Sequence, residues 1–393
     1  MKVLKMSEVN LNQQRVLIRE DFNVPIENGR VSSDVRLKAA IPTLKEAVSQ
    51  NAAVIVLSHL GRPTEGIFTP EFSLEPIAKR LSELCPTIPV HFVRDWLSGV
   101  EAKPGEIVLC ENVRFNEGEK NNVLALAEKM AKLCDVFVMD AFATAHRAEA
   151  STCGIAELAP LACAGPLLVA ELTALTKAFN APEHPLAAIV GGSKVSTKLE
   201  VLSALIEKVD VLILGGGIAN TFLAAKNYFI GASLYENALV ESAKRLLKLA
   251  DEQKVTIVLP LDVVVATSCS ADAKGEIKLL DAILDHEMIL DVGPKTRSHI
   301  DAVLKSMKTI IWNGPLGVFE LESFSQGTKA LAYSIAQSSA YSLAGGGDTL
   351  AAVEKYRVQD DISYLSTGGG AFLEFLEDKK LPVISILEQR AIK

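Results

Sequence analysis

One pattern constrains this chain more than any other: short, largely apolar β-branched runs alternate with longer amphipathic stretches almost from end to end. Residues 15–19, 53–58, 106–110 and 135–139 read as buried parallel strands, and residues 187–190, 210–214, 255–259, 309–312 and 341–344 repeat the style. Helical periodicity fills the gaps at 35–49, 73–84, 122–133, 195–209 and 242–251. Alternation of this kind builds doubly wound sheets whose ligands bind in loops outside the strand carboxyl ends. With 393 residues the chain is long enough for about two to three domains. It divides near residues 165–185, where 167–179 reads as one helix set between Pro166 and the pair Pro182 and Pro185. The expected organisation is a first α/β domain over 1–165, a linking helix over 166–182 and a second α/β domain over 183–379.

Charge narrows the partners. Forty Lys and Arg against 48 Asp and Glu leave a net charge of −8, so no global positive field exists for nucleic acid or an anionic membrane. An anionic ligand must therefore meet a local cluster. The first 20 residues lack the apolar core of a secretory signal, and the longest weakly polar run, 158–170, is too short to span a membrane and contains Pro160 and Pro166. The six cysteines form no C-x-x-C pair and mostly sit in apolar runs, as reduced thiols do in a cytoplasmic protein.

The second half carries glycines at its strand exits: Gly191-Gly192, Gly215 to Gly217, Gly345 to Gly347 and Gly368 to Gly370. Glycines admit a phosphate close to the backbone, and the unpaired N–H groups at the following helix start can bind it. Asp348 beside the third run is a hard oxygen donor suited to Mg²⁺. In Gly191-Gly192-Ser193-Lys194-Val195-Ser196-Thr197-Lys198 the two lysines fall four apart, on one face of a helix expected to begin there. Their charges oppose the helix macrodipole and each other, and an anion turns both penalties into attraction. A tight turn capped by Asp348 and a solvated lysine face are the bland alternatives. Neither a G-x-x-x-x-G-K-[ST] loop nor a complete G-x-G-x-x-G is present, which argues against P-loop enzymes and nicotinamide dehydrogenases.

The first half carries arginines instead. Asp21 and Asn23 follow the first strand on alternate positions, His59 and Arg62 the second, Arg114 the third, and His146-Arg147 the fourth; Arg36 lies just after Asp34, the expected cap of its helix. Each arginine alone is commonly a surface ion pair. Several at one end of one sheet make a basin for a small polyanion, because a guanidinium fork grips carboxylate or phosphate at two points. His91, His184, His286 and His299 have no such setting and read as structural.

Taken in order, residues 19–25, 58–63, 111–115, 140–152, 191–198, 215–222, 312–320, 345–349 and 366–371 resemble the phosphoglycerate kinase family across nearly the whole chain. Ala143 stands where that family usually has Gly, and Glu20 and Glu149 also depart from its pattern. The resemblance implies two Rossmann-like three-layer domains with parallel sheets, separated by a cleft and joined by a hinge helix. It implies that 1–165 binds phosphoglycerate, with the last segment, 380–393, packing back onto it through 381–387, and that 183–379 binds nucleotide. The implied activity is reversible phosphoryl transfer from 1,3-bisphosphoglycerate to ADP, giving 3-phosphoglycerate and ATP, in glycolysis and gluconeogenesis. A cytoplasmic monomer that closes on its substrates, with Mg²⁺ as cofactor, is implied as well.

By position, the resemblance places Asp21, Asn23, Arg36, His59, Arg62, Arg114 and Arg147 at the phosphoglycerate site. It places Gly192, Lys194, Lys198, Gly216, Asn313, Pro315, Gly317, Glu320, Gly346, Gly347, Asp348 and Thr349 at the nucleotide, with Glu320 on the ribose and Asp348 on the metal. Arg36, Lys194, Lys198 and Gly370 are the implied catalytic set. The residue inventory agrees with that chemistry: the attacking group is a carboxylate already ionised at pH 7, so no general base is needed. The alternative reading is a non-catalytic nucleotide-binding α/β module.

Overall fold

The computed structural model describes residues 2–391; Met1, in the expected first domain, and Ile392 and Lys393, at the end of the expected returning segment, lie outside the described residues. The chain divides into two compact units, one formed by residues up to Thr173 together with the stretch from Lys380, the other by Ala174–Lys379. The boundary falls inside the helix Pro166–Leu175, which ends in a wider turn, Thr176–Asn180, instead of running unbroken to Phe179.

The first unit is built on a six-stranded sheet in the spatial order Val90–Val93, Ile107–Cys110, Ala53–Leu57, Arg15–Arg19, Val136–Met139, Leu161–Ala164. Every neighbouring pair is parallel. Burial on both faces explains the near-continuous apolar composition: Ala53–Leu57 and Val136–Met139 are buried at every position. Helix Val35–Ser49 covers one face with Leu37, Ala40, Leu44 and Ala47. The chain's last helix, Pro382–Arg390, belongs to this unit. Val383, Ile384 and Leu387 are buried, and the Arg390 guanidinium donates to the carbonyls of Glu157 (2.8 Å), Ala159 (2.6 Å) and Pro160 (2.9 Å).

The second unit repeats the plan with Thr256–Val258, Val211–Leu214, Leu186–Val190, Thr309–Asn313, Tyr341–Gly345 and Tyr364–Ser366, again all parallel. In chain order these main-sheet strands run 3-2-1-4-5-6, the doubly wound order, with its switch point between Leu186–Val190 and Thr309–Asn313. A three-stranded antiparallel sheet, Asp262–Ala266 between Glu276–Leu279 and Met288–Val292, is inserted before the fourth main strand. Sequence periodicity misses this sheet, and also Val90–Val93, Leu161–Ala164, Tyr364–Ser366 and the hairpin Ile26–Glu27 with Arg30–Val31. These strands are short, and several are partly exposed edges without a long apolar run. The longest helix expected in this unit, 195–209, is instead a 3₁₀ turn, Val195–Thr197, followed by a separate α-helix, Leu199–Ile206.

Candidate functional site

At the carboxyl edge of the first sheet, four strand exits bring the arginine-rich residues together. Asn23 reaches across from the first exit to the second, its Oδ1 accepting the Gly61 N–H at 2.9 Å. Arg36 donates to Asp21 Oδ2 (2.5 Å) and to the Asn23 carbonyl (3.2 Å). Its charge is thus already answered by Asp21. Asp34 does not cap that helix with its side chain; its carboxylate pairs with Arg80 (2.5 Å) and Lys38 (2.9 Å). Arg114 is buried, with Nη1 on the Gly61 carbonyl (2.7 Å) and Nη2 on Glu149 Oε1 (3.2 Å). Arg147 donates through Nε to His146 Nε2 (3.1 Å), and Arg62 is exposed, without a hydrogen-bond or ion-pair partner among the described residues.

His59 sits beneath this basin. Burial, followed by the charges of Arg19, Arg114, Arg147 and Arg36, holds its imidazolium well below the usual histidine range, so the ring is neutral. The fully buried Arg19 places Nη2 3.4 Å from His59 Nδ1. A guanidinium can only donate, so Nδ1 accepts and the ring proton resides on Nε2. Arg19 escaped the sequence reading because it falls within the strand, and only the fold turns it toward the basin floor.

In the second unit the glycine-rich exits of neighbouring strands pack backbone against backbone. A Cβ on Gly191 would lie 1.8 Å from the Pro315 carbonyl oxygen, and one on Gly217 would lie 2.2 Å from that of Ser193. Gly216, at φ +63°, approaches the Gly192 carbonyl in the same way. Beside them lies a cavity of about 410 Å³, lined by Gly192, Gly216, Pro315, Gly317, Glu320 and Asp348 from the sequence expectation. Its apolar wall of Leu234, Met288, Ile289, Leu290 and Val318 was not anticipated, since most of it comes from the inserted antiparallel sheet.

Asn313, at the end of its strand, donates to the Gly345 carbonyl (2.7 Å) and accepts a short hydrogen bond from Lys198 Nζ. Thr349 Oγ1 accepts the Gly314 N–H at 2.7 Å, fastening the first turn of helix Gly347–Tyr356 to the same exit. Burial pushes the Lys198 ammonium down to about 8, against the pull of Asp348 and Glu377. The two lysines do not share a helical face: Lys194 is extended and exposed, and Lys198 precedes the helix Leu199–Ile206. Gly346 and Gly347 lie at the start of helix Gly347–Tyr356, and Gly370 opens helix Gly370–Leu376; none of the three lines the cavity.

A family model described as phosphoglycerate kinase matches residues 6–379. The chain belongs to the phosphoglycerate kinase family. It is 56% identical over 393 residues to the phosphoglycerate kinase of Francisella tularensis subsp. novicida, covering 100% of both chains. It is also 56% identical over 387 residues to that of Coxiella burnetii, covering 98% of each. Among solved structures, phosphoglycerate kinase from Coxiella burnetii superposes with a TM-score of 0.96 at 55% identity, over 99% of this chain and 100% of that one. The enzyme from Pyrococcus horikoshii superposes with 0.82 at 31%, over 99% of each. As a phosphoglycerate kinase the chain is a glycolytic transferase that moves a phosphoryl group to and from a carboxyl group, which displaces the non-catalytic reading.

Phosphoglycerate kinase membership leaves one buried acid of the cavity to be explained by its contacts. Asp291 accepts the Gly327 N–H at 2.7 Å, at the start of helix Gln326–Ala336, and Thr328 Oγ1 in turn accepts the Leu316 N–H at 3.1 Å. A Cβ on Gly317 would come within 2.3 Å of Asp291 Oδ1. The carboxyl thus forms a floor for the loop from Pro315 to Glu320. Burial raises it to about 7, so the folded state keeps a proton that the unfolded chain releases near pH 4. The contribution to stability is present below about pH 4 and is lost as pH rises toward 7. Thermal denaturation of Asp291→Asn across pH 4 to 7.5 should therefore show a shallower fall in stability with pH than the parent; an identical slope would remove Asp291 as the titrating group.

Proposed function

We propose that 3-phosphoglycerate and 1,3-bisphosphoglycerate bind in the first unit at Asp21, Asn23, Arg36, His59, Arg62, Arg114 and Arg147, and that ATP and ADP bind in the second. The nucleotide set is Gly192, Lys194, Lys198, Gly216, Asn313, Pro315, Gly317, Glu320, Gly346, Gly347, Asp348 and Thr349. The observation that carries this reading is the position of both sets at the carboxyl edges of parallel sheets, where open α/β folds take ligands. The apolar wall of the cavity suits a base, exposed Glu320 suits ribose hydroxyls, and the lysines suit phosphates.

The donor set fits Mg²⁺ as well. Exposed Asp348 is a single hard carboxylate at the cavity edge, and no group of three or more acidic, histidine or cysteine side chains able to hold a metal occurs among the described residues. Mg²⁺ is commonly held by one or two carboxylates with substrate phosphates and water, and when bound it neutralises phosphate charge. The chain's own residues do the rest. Asp21 holds Arg36, Asn23 orders the Gly61 turn, and neutral His59 offers Nε2–H to an anion. The carboxylate nucleophile needs no base, so catalysis rests on alignment and on neutralising charge in the transferring group. In this reading Arg36, Lys194, Lys198 and the Gly370 N–H supply that neutralisation. The chain works in the cytoplasm, consistent with its five buried free thiols, and as a monomer, which its family resemblance implies.

Each part has its own measurement. Lys198, at about 8 without ligand, takes up a proton when phosphates arrive, so calorimetry of MgADP binding near pH 8 in two buffers of different ionisation enthalpy should show proton uptake that Lys198→Arg abolishes. Arg36→Met should lower kcat by about 10³-fold or more with a modest change in substrate affinity, whereas Arg62→Met should chiefly raise KM for 3-phosphoglycerate. Near-normal turnover of Arg36→Met at saturation would reduce Arg36 to a binding residue. Direct transfer also requires reacting atoms within about 3 to 3.5 Å. Solution scattering should therefore report a monomer whose radius of gyration falls most with both ligands present.

A further inference from the structure

The phosphoglycerate basin contains an acid where an anion site has no evident use for one. Glu149 is 4% exposed, and a single carboxylate oxygen, Oε1, serves Arg114 Nη2 at 3.2 Å and lies 4.0 Å from Arg147 Nη1. Its other oxygen, Oε2, is buried with no hydrogen-bond partner. A further buried atom without a hydrogen-bond partner belongs to the same network, Arg114 Nε, an idle donor.

The main chain that carries Glu149 is pinned beside the basin. Its N–H is bonded to Thr152 Oγ1 at 3.1 Å, and the next residue, Ala150, donates to the Glu119 carbonyl at 2.9 Å. A buried carboxylate oxygen left without a donor costs stability, so ion pairing alone does not account for the residue. Its electrostatic effect is direct: it occupies one prong of Arg114 and screens Arg147. The cationic field it opposes is felt independently at His59, where Arg19, Arg114 and Arg147 all disfavour the imidazolium.

We propose that Glu149 sets the anion affinity of this basin: by engaging Arg114 and screening Arg147 it weakens the grip on any phosphate and so favours a substrate with further contacts over free inorganic phosphate. The inference rests on the assignment of phosphoglycerate to this basin. A phosphoglycerate carries a carboxylate and a hydroxyl besides its phosphate, and can recover affinity from Asp21, Asn23, His59 and Arg36. Inorganic phosphate depends on the guanidinium forks and loses most when one is already engaged. Repulsion of the poorer ligand is a common source of specificity.

Kinetics of Glu149→Gln, at fixed ionic strength, give the test. The inhibition constant of inorganic phosphate against 3-phosphoglycerate should fall roughly tenfold, the scale of one partly buried charge interaction, and KM for 3-phosphoglycerate should fall by a smaller factor of about three. A folded variant with both constants unchanged would overturn the proposal. So would a raised KM, which would make Glu149 a support for Arg114 instead of an opponent of anions. Should Glu149→Gln lose the native circular dichroism spectrum, Glu149→Ser carries the same comparison. Arg62→Met separates the two readings: if it leaves KM for 3-phosphoglycerate unmoved, the basin assignment fails, whereas if it raises KM while Glu149→Gln leaves phosphate inhibition unchanged, the inference about Glu149 alone fails.

Discussion

Parallel pairing is the constraint on which the rest of each unit depends. Strands that all run the same way need crossovers of a dozen or more residues, and those crossovers cover both faces with helices. Every strand then ends at the same edge, so residues far apart in sequence arrive together there. In the first unit this collects Asp21, His59, Arg114 and Arg147 from four separate exits; in the second it collects Gly192, Gly216, Asn313 and Asp348. Order at that edge follows from backbone contact. Asn23 holds the Gly61 N–H, Thr349 holds the Gly314 N–H, and Gly191 and Gly217 allow neighbouring exits to touch.

The candidate sites of the two units are built by different means. The first uses side-chain charge and moderates it: Asp21 answers Arg36, Glu149 answers Arg114, and burial together with crowding by guanidiniums keeps His59 neutral. The second relies on bare backbone next to an apolar wall, with Lys198 held down to about 8 by burial and still mostly charged at neutral pH. Buried acids recur as fasteners in both. Asp140 accepts from Thr43 Oγ1 (2.6 Å) and from the Leu168 N–H (3.0 Å) in the first turn of the helix Pro166–Leu175, and Asp291 does the equivalent for Gln326–Ala336. Burial raises Asp140 to about 6 and Asp291 to about 7, against the hydrogen bonds each accepts, which favour the carboxylate.

The amino-acid sequence by itself determined the fold class, the run of central strands and the two chemistries, because these reside in local signals: β-branched runs, strand-exit glycines and arginines spaced after strands. The helix 35–49 was legible to the residue for the same reason. What only the tertiary structure decided were features whose partners are distant. The inserted antiparallel sheet, the turn of Arg19 toward His59, the break before Leu199 that separates Lys194 from Lys198, and the pairing of Glu149 with Arg114 each depend on contacts that local periodicity does not encode. Periodicity reports which face of an element is buried; it does not report which charged group the fold will set against it. That choice is made when parallel pairing brings remote strand ends to one edge.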